Sequence, residues 1–247
     1  MSDYTGDVTV GGAPDVRRLP ALEITKIAVG PMNNNAYLLR CAATGDTLLI
    51  DAADEPDRLL GLVPGGLGTV VTTHQHRDHW QALADVVKAT SASTVAHPLD
   101  AGPLPVRPGR LVDDGDVVSV GSVELSVIHL RGHTPGSIAL RYDDPAGVTH
   151  LFTGDSLFPG GVGNTGGNAV AFTSLLDDVE HRVFDVLASD TWVYPGHGSD
   201  TTLGVERPHV AEWRAAAGER SRCSAATFDR DARAHAARGR RELGRAA

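Results

Sequence analysis

Hydrophobic positions fall in short runs that Gly, Asn and Pro residues separate along most of the chain. Runs rich in Val, Ile, Leu and Thr predict β-strands, and apolar positions at helical spacing predict helices. The predicted strands are Leu22–Val29, Ala36–Cys41, Thr47–Asp51, Gly68–Thr73, Ser93–His97, Asp116–Val120, Val123–Leu130, Ile138–Tyr142, Val148–Thr153 and Trp192–Tyr194. The predicted helices are Pro56–Leu62, Trp80–Ala89 and Ser174–Leu187. Strands and helices in both halves predict an α/β fold with two sheets face to face and helices outside.

The same pattern divides the chain into three parts. Residues 1–20 hold Gly, Pro and acidic residues without an apolar run, so we expect an irregular N-terminal segment. Residues 21–214 carry the predicted strands and helices and form the domain. Residues 215–247 are mostly Ala and Arg with few large apolar side chains, which is typical of a solvated tail.

Composition excludes several classes of protein. Hydrophobic residues make up 41% of the chain and charged residues 21%, so neither a disordered chain nor a coiled coil is expected. The net charge of −9 gives no support for binding nucleic acid or an anionic membrane. No run approaches the ~20 apolar residues that cross a bilayer. Two cysteines outside any CxxC pair, and an N-terminus without an apolar leader, predict a cytoplasmic protein.

The strongest local motif is the sequence HQHRDH, which directly follows the predicted strand Gly68–Thr73. Alternate side chains of an extended segment face the same way, so His74 and His76 can point at one centre. Asp78 and His79 come where the chain turns into the next helix and can reach a second centre. Imidazole and carboxylate ligands together suit Zn, Fe or Mn. The motif therefore predicts a metal site.

Three further candidate ligands share one arrangement, in which a strand is followed by a tight turn containing Gly. His133 lies in RGHTPG, Asp155 in FTGDS and His197 in PGHG. Ligands at the same end of several strands can converge on one cleft. Together with the histidine motif they provide seven candidate ligands.

The ordered set HxHxDH, GHTPG, TGDSLF and PGHG resembles the signature of the metallo-β-lactamase superfamily. Within it, the chain is similar to the single-domain glyoxalase II-like hydrolases, of the hydroxyacylglutathione hydrolase type, from about Leu22 to Trp213. The resemblance implies an αββα sandwich of two mixed β-sheets and a centre of two divalent metal ions, with zinc expected and iron or manganese as alternatives. It implies that one metal is held by His74, His76 and His133, the other by Asp78, His79 and His197, with Asp155 bridging and Asp78 also taking part in catalysis.

Weaker matches concern the substrate. The NNNAYL segment resembles a family segment near the cleft, so we expect Asn35 and Tyr37 to contact substrate. Asn164 stands where the family often has a basic residue, which makes it a third candidate contact and weakens the case for a glutathione carboxylate clamp. The helical C-terminal domain of full-length glyoxalase II is not expected here. Asp51, at the end of a buried strand, is a candidate for orienting a ligand histidine.

The resemblance implies that a hydroxide shared by two cations attacks an acyl carbon, most readily in a small-molecule thioester, whose thiolate leaves without much acid assistance. Two alternatives stay open. One is an iron oxidoreductase like the persulfide dioxygenases, which resemble this family but use one iron. The other is a lactonase or phosphodiesterase on the same scaffold. A non-catalytic binding module would be expected to lack some of the ligands, and none of the seven is missing. The sequence does not indicate an oligomeric state.

Overall fold

Among the described residues, the first of two large sheets contains seven strands, which lie side by side in chain order. A computed structural model describes residues 4–215. The strands of this first sheet are β1 (Asp15–Arg18), β2 (Leu22–Val29), β3 (Asn34–Cys41), β4 (Thr47–Ile50), β5 (Thr69–Val71), β6 (Ser93–Ala96) and β7 (Arg110–Leu111). Strands β1 to β4 pair antiparallel and β4 to β7 pair parallel. Helices α1 (Pro56–Gly61) and α2 (Leu83–Thr90) provide the crossovers that parallel pairing requires.

The second large sheet is formed by strands from the later part of the described chain. In chain order the remaining strands are β8 (Val117–Val120), β9 (Val123–His129), β10 (Ile138–Asp143), β11 (Thr149–Gly154), the separate hairpin β12 (Leu157–Phe158) and β13 (Gly161–Val162), then β14 (Trp192–Pro195) and β15 (Thr201–Thr202). Six of these strands form the sheet, in the order β15-β14-β11-β10-β9-β8. Strands β11 and β14 pair parallel, across helix α3 (Ala169–Val179) and a π-helical turn over Glu180–Phe184. Helix α4 (Leu203–Glu206) follows β15.

The main core lies between the two sheets, where each contributes the buried face of its strands. Tyr37 of β3 packs edge-on against Phe152 and Tyr194, with ring centroids 5.3 and 5.6 Å away. Such aromatic pairs add about 0.5–1.5 kcal/mol beyond the area that they bury. Separate apolar clusters join α1 and α2 to the first sheet and α3 to the second. The predicted αββα sandwich of two mixed sheets is therefore confirmed.

The prediction of an irregular segment over residues 1–20 is wrong in part, because β1 lies inside it. Its four residues contain two arginines and show no apolar alternation, so the pattern gave no signal. Backbone pairing with β2 forms the strand instead. The sheet thus begins before residue 21. Of the predicted tail over 215–247, residues 216–247 lie outside the described residues.

Helix α3 begins five residues before the predicted Ser174, at Ala169. The side-chain oxygen of Asn168 accepts hydrogen bonds from the N–H groups of Val170 and Ala171, both at 3.0 Å. This is N-capping, which satisfies donors that the first helical turn leaves free. Within residues 4–215, no helix has both the length and the apolarity to cross a membrane.

Candidate metal centre

The seven candidate ligands meet at one edge of the sandwich, where strands of both sheets end. His74, His76, Asp78 and His79 follow β5 of the first sheet, and His133 lies in the connection from β9 to β10. In the second sheet Gly154 lies opposite Pro195. Asp155 and His197 therefore leave β11 and β14 at the same place.

Three imidazoles form the first ligand group, which consists of His74, His76 and His133. The Nε2 atom of His133 lies 3.2 Å from His74 Nε2 and 2.9 Å from His76 Nδ1. All three rings present one nitrogen to a common point. Neutral imidazole nitrogens have lone pairs, which repel at this distance unless a proton or a cation lies between them.

The second ligand group consists of Asp78, His79 and His197. The Nε2 atoms of His79 and His197 are 3.2 Å apart. Asp78 Oδ2 lies 3.4 Å from the first of these atoms and 3.3 Å from the second. This mixed nitrogen and oxygen set is one that Zn, Fe and Mn accept.

Asp155 lies between the two groups. Its Oδ2 atom is 3.5 Å from His133 Nε2 and 3.4 Å from His197 Nε2, so one oxygen faces a histidine of each group. Its Oδ1 atom is 3.3 Å from His79 Nε2, and it is buried without a hydrogen-bond donor in the described part of the chain. A buried carboxylate oxygen with no donor is costly unless a cation occupies its vicinity. The arrangement fits a metal-bridging carboxylate.

Asp51, which follows β4 of the first sheet, fixes the ring orientation of two candidate ligand histidines. Its Oδ2 atom accepts hydrogen bonds from His79 Nδ1 and from the hydroxyl of Thr73, both at 2.8 Å. That hydroxyl in turn accepts from His74 Nδ1 at 3.0 Å. With Nδ1 carrying the proton, Nε2 of each ring presents its lone pair to the centre. The prediction that Asp51 orients a ligand histidine is confirmed, and its left-handed φ of 58° shows a backbone held against its preference.

Backbone carbonyl oxygens fix the other two rings. His133 Nδ1 donates to the carbonyl of Asn164 at 2.7 Å, and His197 Nδ1 donates to the carbonyl of Met32 at 3.0 Å. Their Nε2 atoms are thereby also left to accept a cation. Four of the five histidines at the centre are oriented in this manner by groups outside it.

Charges around the centre keep both ligand carboxylates ionised. A hydrogen bond from His197 holds the pKa of Asp78 well below its usual range. Burial opposes ionisation of Asp155, but contacts with His197 and His79 still lower its pKa strongly. Together with Asp51, the two carboxylates place a concentrated negative charge at the site, which favours binding of divalent cations.

The pKa shifts of the histidines differ in direction between the two ligand groups. In the first group, burial is the main cause that lowers the pKa of both His74 and His133. In the second group burial also disfavours the charged ring, but neighbouring carboxylates outweigh it. They raise the pKa of His79 to about 10 and that of His197 to about 9. Burial therefore decides the direction of the pKa shift at His74 and His133, and carboxylate contacts decide it at His79 and His197.

Gly196 is needed for the close packing of Asp155 and His79 at the centre. A Cβ atom at this position would overlap Asp155 Oδ1 and lie 2.7 Å from His79 Cε1. The absence of a side chain lets the residue that follows β14 lie directly beside the carboxylate of Asp155. The Gly-containing turn predicted before His197 therefore has a steric reason.

The predicted substrate contacts of Asn35 and Tyr37 are wrong, because both side chains are buried beneath the loop that carries His197. Asn35 Nδ2 donates to the carbonyls of Pro195 and Gly198, each at 2.9 Å. The Tyr37 hydroxyl donates to the Pro195 carbonyl at 2.6 Å. Both side chains hold the ligand loop in place.

The same loop has a charged support that the sequence did not suggest. Lys26 is fully buried, and its ammonium donates to the carbonyls of Gly198 and Gly6 at 2.7 and 2.6 Å and to Asp200 Oδ1 at 2.6 Å. Asp200 also accepts from the hydroxyl of Tyr4 at 2.6 Å. Three acceptors satisfy the three donors of the ammonium.

Asn34 is a further residue of the site that sequence reasoning missed. Its side-chain N–H donates to Asp78 Oδ2 at 2.8 Å, and its backbone forms a bridge with His197. The run of three asparagines marked the segment without indicating which of them faces the centre. Asn164 is exposed, and its carbonyl orients His133. A substrate contact of its side chain stays a prediction.

Comparison with known proteins agrees with this geometry. The chain is 38% identical over 171 residues to a hydroxyacylglutathione hydrolase of Polaromonas, a match that covers 66% of this chain and 62% of the relative. Among solved structures, ETHE1 from Myxococcus xanthus is 30% identical with a TM-score of 0.65, covering 76% of this chain and 82% of that one. TTHA1623 in a di-iron-bound form is 33% identical with a TM-score of 0.62, covering 74% of this chain and 96% of that one.

The metallo-beta-lactamase superfamily model matches residues 29–198, a range that contains all seven candidate ligands. That range covers more than half of the chain and includes strands of both sheets. The chain belongs to the metallo-beta-lactamase superfamily.

Proposed function

We propose that this protein is a two-metal hydrolase of thioesters formed by a low-molecular-weight thiol. The observation that carries the proposal is the position of Asp155 between two complete groups of three ligands. Divalent cations bound there would lower the pKa of water and accept negative charge that develops on an acyl oxygen. Similarity to the Polaromonas hydroxyacylglutathione hydrolase supports the thioester class, although the chain spans only 62% of that protein.

The protonation states of the chain's own residues favour a thioester over an alkyl ester. Asp78 and Asp155 have lowered pKa values, so neither carboxylate can act as a general acid at neutral pH. A thiol, with a pKa of about 8.5, leaves as thiolate without receiving a proton in advance. An alcohol, by contrast, needs a proton from a general acid before it can leave. We assign to Asp78 a catalytic role as an anionic ligand that Asn34 holds in place.

A second candidate is an iron oxidoreductase of the persulfide dioxygenase type. The di-iron-bound form of the related TTHA1623 supports iron as a metal for such a centre, although it contains two irons and not one. The ligand set here does not choose between zinc and iron, because histidine and carboxylate serve both. Two complete ligand groups in place of one favour the hydrolase.

One experiment separates the candidates. The protein is purified with its native metals, which are counted by elemental analysis, and is then assayed against a 2-hydroxyacyl thioester of glutathione, a lactone, a phosphodiester and glutathione persulfide with an oxygen electrode. We expect two metals per chain and hydrolysis fastest on the thioester. Oxygen uptake with persulfide, or faster turnover of the lactone or phosphodiester, would contradict the proposal.

A further inference from the structure

Asp100 is a buried carboxylate that connects the two segments carrying the first ligand group. It lies in the turn after β6 and is 1% exposed. Its Oδ2 atom accepts a hydrogen bond from the N–H of Gln75 at 3.0 Å. Gln75 stands between His74 and His76, so this bond fixes the backbone that presents both rings.

The other side of Asp100 holds the turn of His133. Its Oδ1 atom accepts from the N–H of Gly136 at 2.7 Å, and its Oδ2 atom accepts a short hydrogen bond from the hydroxyl of Thr134. A Cβ atom on Gly136 would lie 2.8 Å from the backbone nitrogen of Asp100. The turn therefore rests directly on the Asp100 segment.

These contacts require a carboxylate. In the described part of the chain, the hydrogen-bond partners of Asp100 are two N–H groups and one hydroxyl, all uncharged. Burying a carboxylate with uncharged partners costs free energy, which three donors offset. Asparagine has one acceptor oxygen, and its amide would place N–H groups against the N–H of Gln75 or Gly136.

The second ligand group has different supports. Asp51 accepts from His79, Asn34 donates to Asp78, and the Met32 carbonyl accepts from His197. The hydrogen bonds of Asp100 end on Gln75, between the two histidines of the first group, and on the turn of His133, and none of them is made to Asp78, His79 or the His197 loop. Loss of Asp100 should therefore weaken metal binding at the first ligand group much more than at the second.

We propose that Asp100 is a positioning residue that sets the distance between the His74–His76 segment and His133, and thereby the affinity of the first ligand group for its cation. The inference rests on the two-metal centre but does not depend on which substrate is hydrolysed. It is separate from the role of Asp51, which connects to both groups.

The test compares Asp100→Asn with Asp144→Asn. Asp144 is also a buried carboxylate, 6% exposed, and accepts from the N–H of Ala146 in the turn between β10 and β11, away from the centre. Metal-free protein is titrated with Co²⁺, following its visible absorption, and metal retained against graded chelator is counted. We expect Asp100→Asn to bind one equivalent as the unchanged protein does and the other about 10–100-fold more weakly, while Asp144→Asn keeps both.

Three results would overturn the inference: two equivalents bound with unchanged affinity in Asp100→Asn, equal weakening of both equivalents, or the same selective loss in Asp144→Asn. If Asp100→Asn does not fold, Thr134→Val tests the same point, because it removes one donor and leaves the carboxylate in place. It should weaken the same equivalent by a smaller factor, and no weakening would contradict the proposal. A selective loss of metal in a protein without thioesterase activity would refute the proposed function and leave this inference standing.

Discussion

The two sheets contribute ligands to the metal centre in different ways. The first sheet provides four from one continuous segment, residues 74–79, at the end of β5. The second provides His133, Asp155 and His197, each from a separate connection. The geometry of the four first-sheet ligands depends mostly on the local backbone. The geometry of the three second-sheet ligands depends on the register of β9, β10, β11 and β14.

This difference shows in the supporting contacts. The backbone at the start of the 74–79 segment is held by two carboxylates. Asp51 accepts a hydrogen bond from the N–H of Thr73, and Asp100 accepts one from the N–H of Gln75. The His197 loop of the second sheet is held by residues far away in the chain, Lys26, Asn35 and Tyr37. Ligands from separate loops need long-range supports because no local backbone fixes their spacing.

The largest effect is expected from Asp155→Ala, which removes the second-sheet ligand between both groups. Loss of the shared carboxylate should release at least one metal and reduce hydrolysis by about three orders of magnitude or more, since several kcal/mol of charge stabilisation would disappear. Metal analysis and initial rates check this, with Asp144→Asn as the buried-carboxylate control. Full turnover with two metals would show that Asp155 is not a ligand.

His76→Ala removes a first-sheet ligand that belongs to one group only. We expect a folded protein that loses the metal of the first ligand group and retains the other, because the second group keeps all its members. Elemental analysis after dialysis and circular dichroism provide the measurement, and the exposed His209→Ala serves as control. If both metals remained bound with unchanged affinity, the grouping of ligands would be wrong.

Asp51→Asn tests a support within the first sheet. The variant loses the carboxylate that accepts from His79 and from Thr73. Removal of such a partner weakens metal affinity by about 10–100-fold, and we expect the greater loss at the second ligand group, which His79 belongs to. Chelator competition measures it. Unchanged affinity at both groups would mean that the orientation of His79 does not depend on Asp51.

His150 makes the second sheet sensitive to acid. It is 1% exposed in β11, and burial, with a smaller effect from Arg17, lowers its pKa to about 4. The unfolded chain binds this proton near pH 6.5 and the folded chain only near pH 4, so stability is present at neutral pH and is lost as the pH falls through this window. The loss amounts to at most about 3 kcal/mol.

Urea unfolding at several pH values between 7 and 4 measures the effect of His150. His150→Asn should unfold with a smaller decrease in stability toward pH 4 than the unchanged protein, and the exposed His181→Asn should show the full decrease. Equal pH dependence in all three proteins would show that His150 does not stay neutral in the folded state.

The smallest effect is expected from Tyr37→Phe, which removes one hydrogen bond to the Pro195 carbonyl and keeps the ring contacts. We expect a loss of about 1 kcal/mol in the free energy of unfolding. Tyr142→Phe is the matched control, since its buried hydroxyl has no hydrogen-bond partner among residues 4–215. Equal losses in the two variants would mean that the Pro195 bond contributes nothing.

The sequence predicted which side chains meet at the centre because their residue types are chemically distinctive and follow strands. His74 and His76 alternate in extended backbone, and the Gly-flanked ligands mark strand ends, so the common edge of the sheets could be inferred. The supports were less predictable. Asp100 stands in HPLDAG, a sequence that gives no hint of the backbone N–H groups that it accepts from.

Asn35 and Tyr37 show why the direction in which a side chain points is harder to predict than the region of the fold where the residue lies. The family resemblance placed them near the centre, where they are, but did not say whether they face solvent or protein. Their spacing of two residues in β3 puts both on one face of the strand. That face lies under the His197 loop, a fact that depends on the packing of two sheets far apart in sequence.

The ammonium of Lys26 connects the start of the described chain to the edge that carries the candidate metal centre. One carbonyl that it binds is that of Gly6 and another is that of Gly198, the neighbour of a ligand histidine. Trimming residues 4–6 to aid crystallisation or labelling would deprive a buried cation of an acceptor, and Asp200 of the Tyr4 hydroxyl. For protein engineering, the N-terminal segment therefore belongs to the working unit, and an affinity tag is better separated from it by a spacer.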